Sequence, residues 1–377
     1  MGNGAYYNRT VKSASVTSAD TAVVRSLLDR VNRKVDGFCR SQDRERISLM
    51  EVCGTHTMAI SGFGIRKAVD ERLRLLSGPG CPVCVTTQEE IDAALGLAGR
   101  PDIVVLTFGD MMRVPGSYGS LEQARARGAD VRVVYSCLDG LRLAEAEPGK
   151  EFVFLGIGFE TTAPTVAAAC RTAQESGTAN FTVLPMFKLV PPALRYIAGA
   201  ERVEVDGFIL PGHVSTVIGT APYLFLADEF RMPCCVVGFE AHDIVQGIWM
   251  LLEQMERGPE VAIQYRRSAR PDGNPDALRL MNEVFVPCGA SWRGIGRIPG
   301  SGLGFREGFR DFDAALRHGV KPGRAKKTAC RCGEVMLGLI APPDCGLFGR
   351  KCTPGNPVGP CMVSSEGACA AYYKYEQ

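Results

Sequence analysis

Eight short runs rich in apolar residues, many of them β-branched, recur along the chain and restrict its fold more than any other feature. They are ISLMEV at 47–52, LRLLS at 73–77, DIVVLT at 102–107, VRVVYS at 131–136, FVFLGI at 152–157, FTVLPM at 181–186, DGFIL at 206–210 and CCVVG at 234–238. Continuous rather than alternating hydrophobicity marks strands covered on both faces. Their starts lie about 20–30 residues apart, the length of a strand plus a crossover helix. An α/β fold with parallel sheets follows. Two sets of four runs at similar spacing predict two similar parallel-sheet α/β domains, over 21–150 and 151–245, after a flexible N-terminus at 1–20. The remainder, 246–377, predicts a helical segment and then a small cysteine-rich region. The helical period of AHDIVQGIWMLLEQMERG breaks at PDGN, 271–274. After about 290, Gly, Pro and Cys become dense, the look of a region held by a cofactor rather than by a large core.

Charge excludes some functions. Of 377 residues, 43 are Lys or Arg and 41 are Asp or Glu, with no marked charge run, so nothing favours nucleic acid as a partner. The first twenty residues lack the apolar core of a signal peptide, and no run approaches the ~20 apolar residues that span a bilayer. The expected location is the cytoplasm. In that reducing compartment, fifteen cysteines point to metal or redox chemistry rather than to structural disulfides.

Ligands of open α/β sheets bind at the C-terminal ends of strands, and the unusual residues cluster there. Cys53-Gly54-Thr55-His56 follows the first run and Gly78-Pro79-Gly80-Cys81-Pro82-Val83-Cys84 the second. Asp110 follows the third, Glu160 the fifth, Pro211-Gly212-His213 the seventh, and Glu240 with His242 the eighth. A thiol three residues before an imidazole, at the start of a helix, makes a nucleophile or a soft metal site; a buried cysteine beside a capping threonine is the plainer alternative. Cys81 and Cys84 form a CxxC without a second pair, which favours a redox dithiol over half of a zinc knuckle. Asp110, Glu160 and Glu240 could orient a histidine, ligate metal or cap helices. No Walker loop or GxGxxG is placed for a nucleotide.

The strongest signal is the tail. Six of the fifteen cysteines, Cys330, Cys332, Cys345, Cys352, Cys361 and Cys369, fall within its last fifty residues, separated by glycines and prolines. A CxC and long gaps suit an iron–sulfur cluster better than the tight pairs of structural zinc. Cys332, Cys345, Cys352 and Cys369 are the expected four ligands of a [4Fe–4S] cluster. The other cysteines read as packing: Cys39 and Cys170 on helices, Cys137, Cys234 and Cys235 at strands, and Cys288 before Gly289.

Together these strings resemble the HypD family of hydrogenase maturation proteins: EVCGTHT at 51–57, GPGCPVC at 78–84, TFGDMMRVPGS at 107–117, GFETTAP at 158–164, PGHVS at 211–215, GFE at 238–240, WRGIGRIPGSGL at 292–303, CRCGEV at 330–335 and CTPGNPVGPCMVSSEGACAAYY at 352–373. The resemblance implies a scaffold for the Fe(CN)2CO group of [NiFe]-hydrogenases. It implies work with a HypC-type chaperone, and cyanide supplied through HypE and HypF. Matched by motif, Cys53 would hold the iron with His56 beside it. Cys81 and Cys84 would be a redox dithiol exchanging electrons with the tail cluster. From their strand-end positions, His213 and Glu240 are candidate catalytic residues beside them. The competing class is a freestanding iron–sulfur thiol–disulfide oxidoreductase that carries no iron cargo.

Overall fold

The computed structural model describes residues 18–320, 323, 326 and 328–376. Most of the N-terminal segment expected to be flexible, 1–17, lies outside them. All eight apolar runs form strands: β1 (Ile47–Glu51), β2 (Leu73–Ser77), β3 (Ile103–Thr107), β4 (Val131–Val133), β5 (Glu151–Gly156), β6 (Phe181–Pro185), β7 (Gly207–Pro211) and β8 (Cys234–Val237). Every pairing among them is parallel. Central strands such as β1, β3 and β7 are buried along their whole length, whereas edge strand β2 alternates. That is how strands sandwiched between helices differ from strands at a rim.

The strands do not group in the order the rhythm suggested. One sheet runs β4-β3-β5-β6 and the other β2-β1-β7-β8-β9, the last being Val261–Ile263. The chain leaves the first-begun sheet after β2, builds the whole of the other, and returns at β7. A domain limit at 150 therefore falls within a sheet, between strands β3 and β5 that pair directly. Run spacing reports the local strand–helix unit and carries no information about which distant strand supplies the partner. Strand β9, three residues long, and the antiparallel hairpin β10 (Phe285–Trp292) and β11 (Gly296–Phe305) lie in a stretch read as helical or irregular. Cys137 opens helix Cys137–Ala146 instead of closing a strand.

One hydrophobic core joins the two sheets, with Met50, Phe208 and Val236 from one and Val105, Val153 and Leu155 from the other. A fully buried Lys188 past β6 pairs at 2.6 Å with Glu90 of helix Gln88–Ala98, which follows β2. Helix Ser18–Ser41 covers the outer face against helix Ala241–Arg257. The tail folds back over the first-begun sheet, where helix Ala368–Tyr375 packs on helix Gly54–Gly62.

Interleaving has a direct consequence. A fragment of residues 21–150 leaves β1 without β7 and β3 without β5, so it is expected to show no cooperative urea transition by circular dichroism; a sharp transition would contradict the interleaved topology.

Candidate functional site

Strands β2, β1, β7 and β8 are adjacent, so four of the six strand-end motifs stand side by side. From β1 the connection to β2 runs one way across the sheet and from β7 to β8 the other. The gap between β1 and β7 is thus a topological switch point, the usual ligand crevice of such sheets. Cys53 sits on one side of it and His213 on the other.

Cys53 is the N-cap of helix Gly54–Gly62, with extended backbone and 9% exposure. Its amide donates to Glu51 Oε2 at 3.1 Å, and Thr57 Oγ1 donates to Glu51 Oε1 at 2.5 Å. Glu51, wholly buried at the end of β1, thereby ties the strand to the first helical turn. Burial pushes its carboxyl up to about 8 and pushes the Cys53 thiol up to about 12, against the lowering effect of the His56 and Thr55 backbone N–H groups. A second acid, Glu366 of the tail, accepts from Thr55 Oγ1 at 2.9 Å and is also raised by burial. Cys53 thus stands among carboxyl groups in a setting that keeps it protonated.

The expected thiolate–imidazole pair is not formed. His56 Nε2 faces the carbonyls of Gly238 at 2.9 Å and Val237 at 3.2 Å, past the end of β8, so that nitrogen donates. Its Nδ1 is buried with no partner among the described residues. Burial drives the imidazole down to about 4. Its ring stacks on Phe239 at 4.8 Å, and the ring of His213, also lowered by burial, stacks on Phe239 at 4.0 Å. The histidines meet through an aromatic ring, both neutral near pH 7. Glu240 is exposed and caps helix Ala241–Arg257 in a reciprocal box with Asp243. The buried carboxylate there is Asp243, held by Arg267 and, at 2.8 Å, by Gln264.

Cys81 and Cys84 are joined as a disulfide, both buried, at the start of the short helix Pro82–Val85. The turn lies against the Cys53 segment. Gly54 N–H donates to Gly80 O at 2.8 Å, and a Cβ on Gly80 would stand 2.1 Å from Cys53 N. Helix Pro82–Val85 packs in turn on the tail's Pro360–Met362 turn, where Cys361 lies buried with its thiol toward Cys332.

Cys330, Cys332, Cys345, Cys352 and Cys369 line a single cavity. All four thiols expected as ligands are there, together with Cys330; Cys361 stands outside it. Val358 N–H donates to Cys352 Sγ at 3.3 Å, the kind of bond that supports a thiolate. Among the described residues no three His, Cys, Asp or Glu side chains converge as ligands of one ion. The five thiols lining it are more than the four donors that a single tetrahedral ion takes.

On the second sheet, Glu160 accepts from Val190 N–H at 2.9 Å through Oε1, Oε2 is unpartnered, and burial raises the carboxyl to about 7. Asp110 accepts from Ser364 Oγ of the tail at 3.0 Å. Sequence reasoning passed over Glu51 and Glu366. An acid ending an otherwise apolar strand is a legible signal for Glu51; Glu366 acquires meaning only through folding.

Fold and site define a thiol-rich α/β protein built from two interleaved parallel sheets. A family model, HypD, described as "Hydrogenase formation hypA family", matches residues 22–376. The chain is 46% identical over 342 residues to hydrogenase maturation factor HypD2 of Bradyrhizobium diazoefficiens, covering 88% of this chain and 90% of that one. It is 47% identical to HypD of Rhizobium leguminosarum bv. viciae (86% and 87% covered) and 42% identical to HypD of Escherichia coli (94% and 95%). The chain belongs to the HypD family of hydrogenase maturation factors. No helix among its described residues is long and apolar enough to cross a membrane.

The buried acid gives a pH signature. A carboxyl raised from 4.5 to about 8 binds more protons folded than unfolded, so its stability contribution is full below pH 4.5 and lost as pH rises through 8. His56 acts oppositely, but only between about 4 and 6.5. Between pH 7 and 8 the fall in stability belongs to Glu51 together with Glu160, whose carboxyl is raised to about 7. Glu51→Gln should flatten it by about 1 kcal/mol per pH unit, read from urea midpoints, leaving the Glu160 share; an unchanged slope would show that the carboxyl is solvated.

Proposed function

We propose that this chain is a redox-active scaffold on which the Fe(CN)2CO group of a [NiFe]-hydrogenase is assembled. Iron, as cargo, is held at Cys53. A HypC-type chaperone shares the cargo, and HypE with HypF delivers cyanide. Electrons reach the site through Cys81 and Cys84 from a [4Fe–4S] cluster held by Cys332, Cys345, Cys352 and Cys369. The observation that carries this reading is the unbroken packed path from Cys53, through the Gly80 backbone to Cys81 and Cys84, and on through Cys361 to Cys332.

The residues suit the task. A thiol held protonated by burial is a poor ligand until a cation arrives; the cation then supplies the charge that the pocket withholds, and the proton leaves. Soft sulfur suits low-valent iron with strong-field diatomic ligands. Glu51 grips the Cys53 amide and Thr57 and so aims the sulfur, while Glu366 holds Thr55 and adds a second carboxyl that can give up its proton when a cation arrives. His56 and His213, neutral at the working pH, can accept or donate a hydrogen bond without adding charge. A [4Fe–4S] cluster, when bound, supplies electrons singly. Opening the Cys81–Cys84 bond takes two electrons and two protons and leaves two thiols. The cytoplasm, with its low-potential donors, is the compartment such chemistry needs.

Infrared spectra of protein purified anaerobically with its chaperone test the reading. Cyanide and carbonyl bands are expected in the wild type, lost in Cys53→Ser with tail iron retained. Cys369→Ala is expected to lose the tail iron and its visible absorbance. Bands persisting in Cys53→Ser would sink the cargo assignment, and a wild type with cluster but no bands at all would favour the plain oxidoreductase.

A further inference from the structure

We propose that Arg293, at the tip of the β10–β11 hairpin, is a positioning residue that locks the Cys81–Cys84 turn to the cysteine-lined cavity and holds a fixed positive charge between them. The inference rests on the redox reading of those cysteines. The hairpin tip is anchored by buried Trp292, whose Nε1 donates to Ser301 Oγ at 2.8 Å, and by buried Ile295. From this support Arg293 makes two bonds to the end of the CxxC helix. Its N–H donates to Val85 O at 2.9 Å and its Nε to Thr86 O at 2.9 Å. The next residue turns the other way. Gly294 has φ +71°, and a Cβ there would stand 2.5 Å from Gly333 Cα, while one on Gly333 would stand 2.5 Å from Gly294 O. The tip therefore touches, through main chain, both the turn after Cys84 and the turn after Cys332.

The guanidinium has a feature that fastening alone leaves unexplained. Arg293 Nη2 is buried and has no hydrogen-bond partner among the described residues. An unpaired buried donor on a cation is unfavourable unless an anionic group lies beside it. The tip that carries it rests on Gly333, directly after Cys332, and on the turn after Cys84, so sulfurs are the nearby candidates. Thiolates and the sulfides of a bound cluster accept hydrogen bonds, and a fixed positive charge favours the more reduced, more negative state. The same guanidinium, whose Nε bonds the carbonyl of Thr86 two residues beyond Cys84, favours the dithiolate over the disulfide.

Two variants separate geometry from charge. Arg293→Gln keeps a donor and drops the charge; Arg293→Lys keeps the charge and loses the planar fork. In metal-free full-length protein, two glutathione thiols reduce the Cys81–Cys84 bond to give two protein thiols and one glutathione disulfide. The position of that equilibrium, read by alkylation and mass spectrometry, is expected to shift several-fold toward the protein disulfide in Arg293→Gln and to recover in Arg293→Lys. Hydrogen exchange should quicken in both variants, at 82–86 and 330–336 together. In reconstituted protein the reduction midpoint of the tail cluster should fall in Arg293→Gln. Faster exchange with unchanged equilibrium and midpoint would reduce Arg293 to a structural fastener, and faster exchange confined to the hairpin would remove the bridge; either overturns the proposal. A wild type that takes up no tail iron would overturn the cluster reading instead, while the metal-free equilibrium and exchange would still decide the role of Arg293.

Discussion

Where Gly80 passes the amide of Cys53 there is no room for a side chain, and the site depends on that approach. A Cβ at Gly78 would lie 2.7 Å from Glu51 O, and one at Gly54 would lie 2.4 Å from Glu366 Cβ. At three points one segment rests on another with no room for a side chain: the loops after two neighbouring strands meet at Gly80 and Gly78, and the tail meets the first of those loops at Gly54. Main-chain contact of this kind leaves few rotamers to choose among. The relative places of the Cys53 sulfur, the CxxC turn and the tail are set by backbone, which is the precision that a multi-thiol site needs.

The electrostatics of this corner are unusual for so buried a place. Glu51 is shielded completely, Glu366 largely, and Cys53 lies between, each pushed toward its protonated form. The metal-free protein thus buries neutral groups and avoids the penalty of unpaired charge. The aromatic stack of His56, Phe239 and His213 repeats the theme. Burial keeps the Cys53 thiol protonated, so entry of a cation there and release of that proton are two sides of one event.

Much of this could be read from residues alone, and the failures share a cause. β1, β3 and β7 announce themselves because sandwiched strands must be apolar throughout, and that rule is local. Which sheet they join is decided by contacts between residues more than a hundred positions apart, to which run spacing is blind. The tail thiols were legible because six cysteines among glycines and prolines have few other uses. The cavity they line also includes Cys330, which was not among the four expected ligands. His56 was correctly placed at a strand end but wrongly paired: its ring bonds to the carbonyls of Val237 and Gly238 on a strand that sequence order puts far away. Glu366 and Arg293 lie inside matching strings, but neither residue type nor spacing singles them out, because their meaning lies in what they touch.

The insertion of one sheet inside the other also sets a timetable for the newborn chain. β1 pairs with β7 across about 160 residues, a long loop to close before any contact rewards it. On the ribosome, β3 to β6 are all made before β7 emerges, so the inner sheet has its strands while the outer one is still open. Cys53, Cys81 and Cys84 are synthesised early yet enclosed late. The segments that enclose them, β7 and the tail, are made later, so the site cannot close before those have been synthesised.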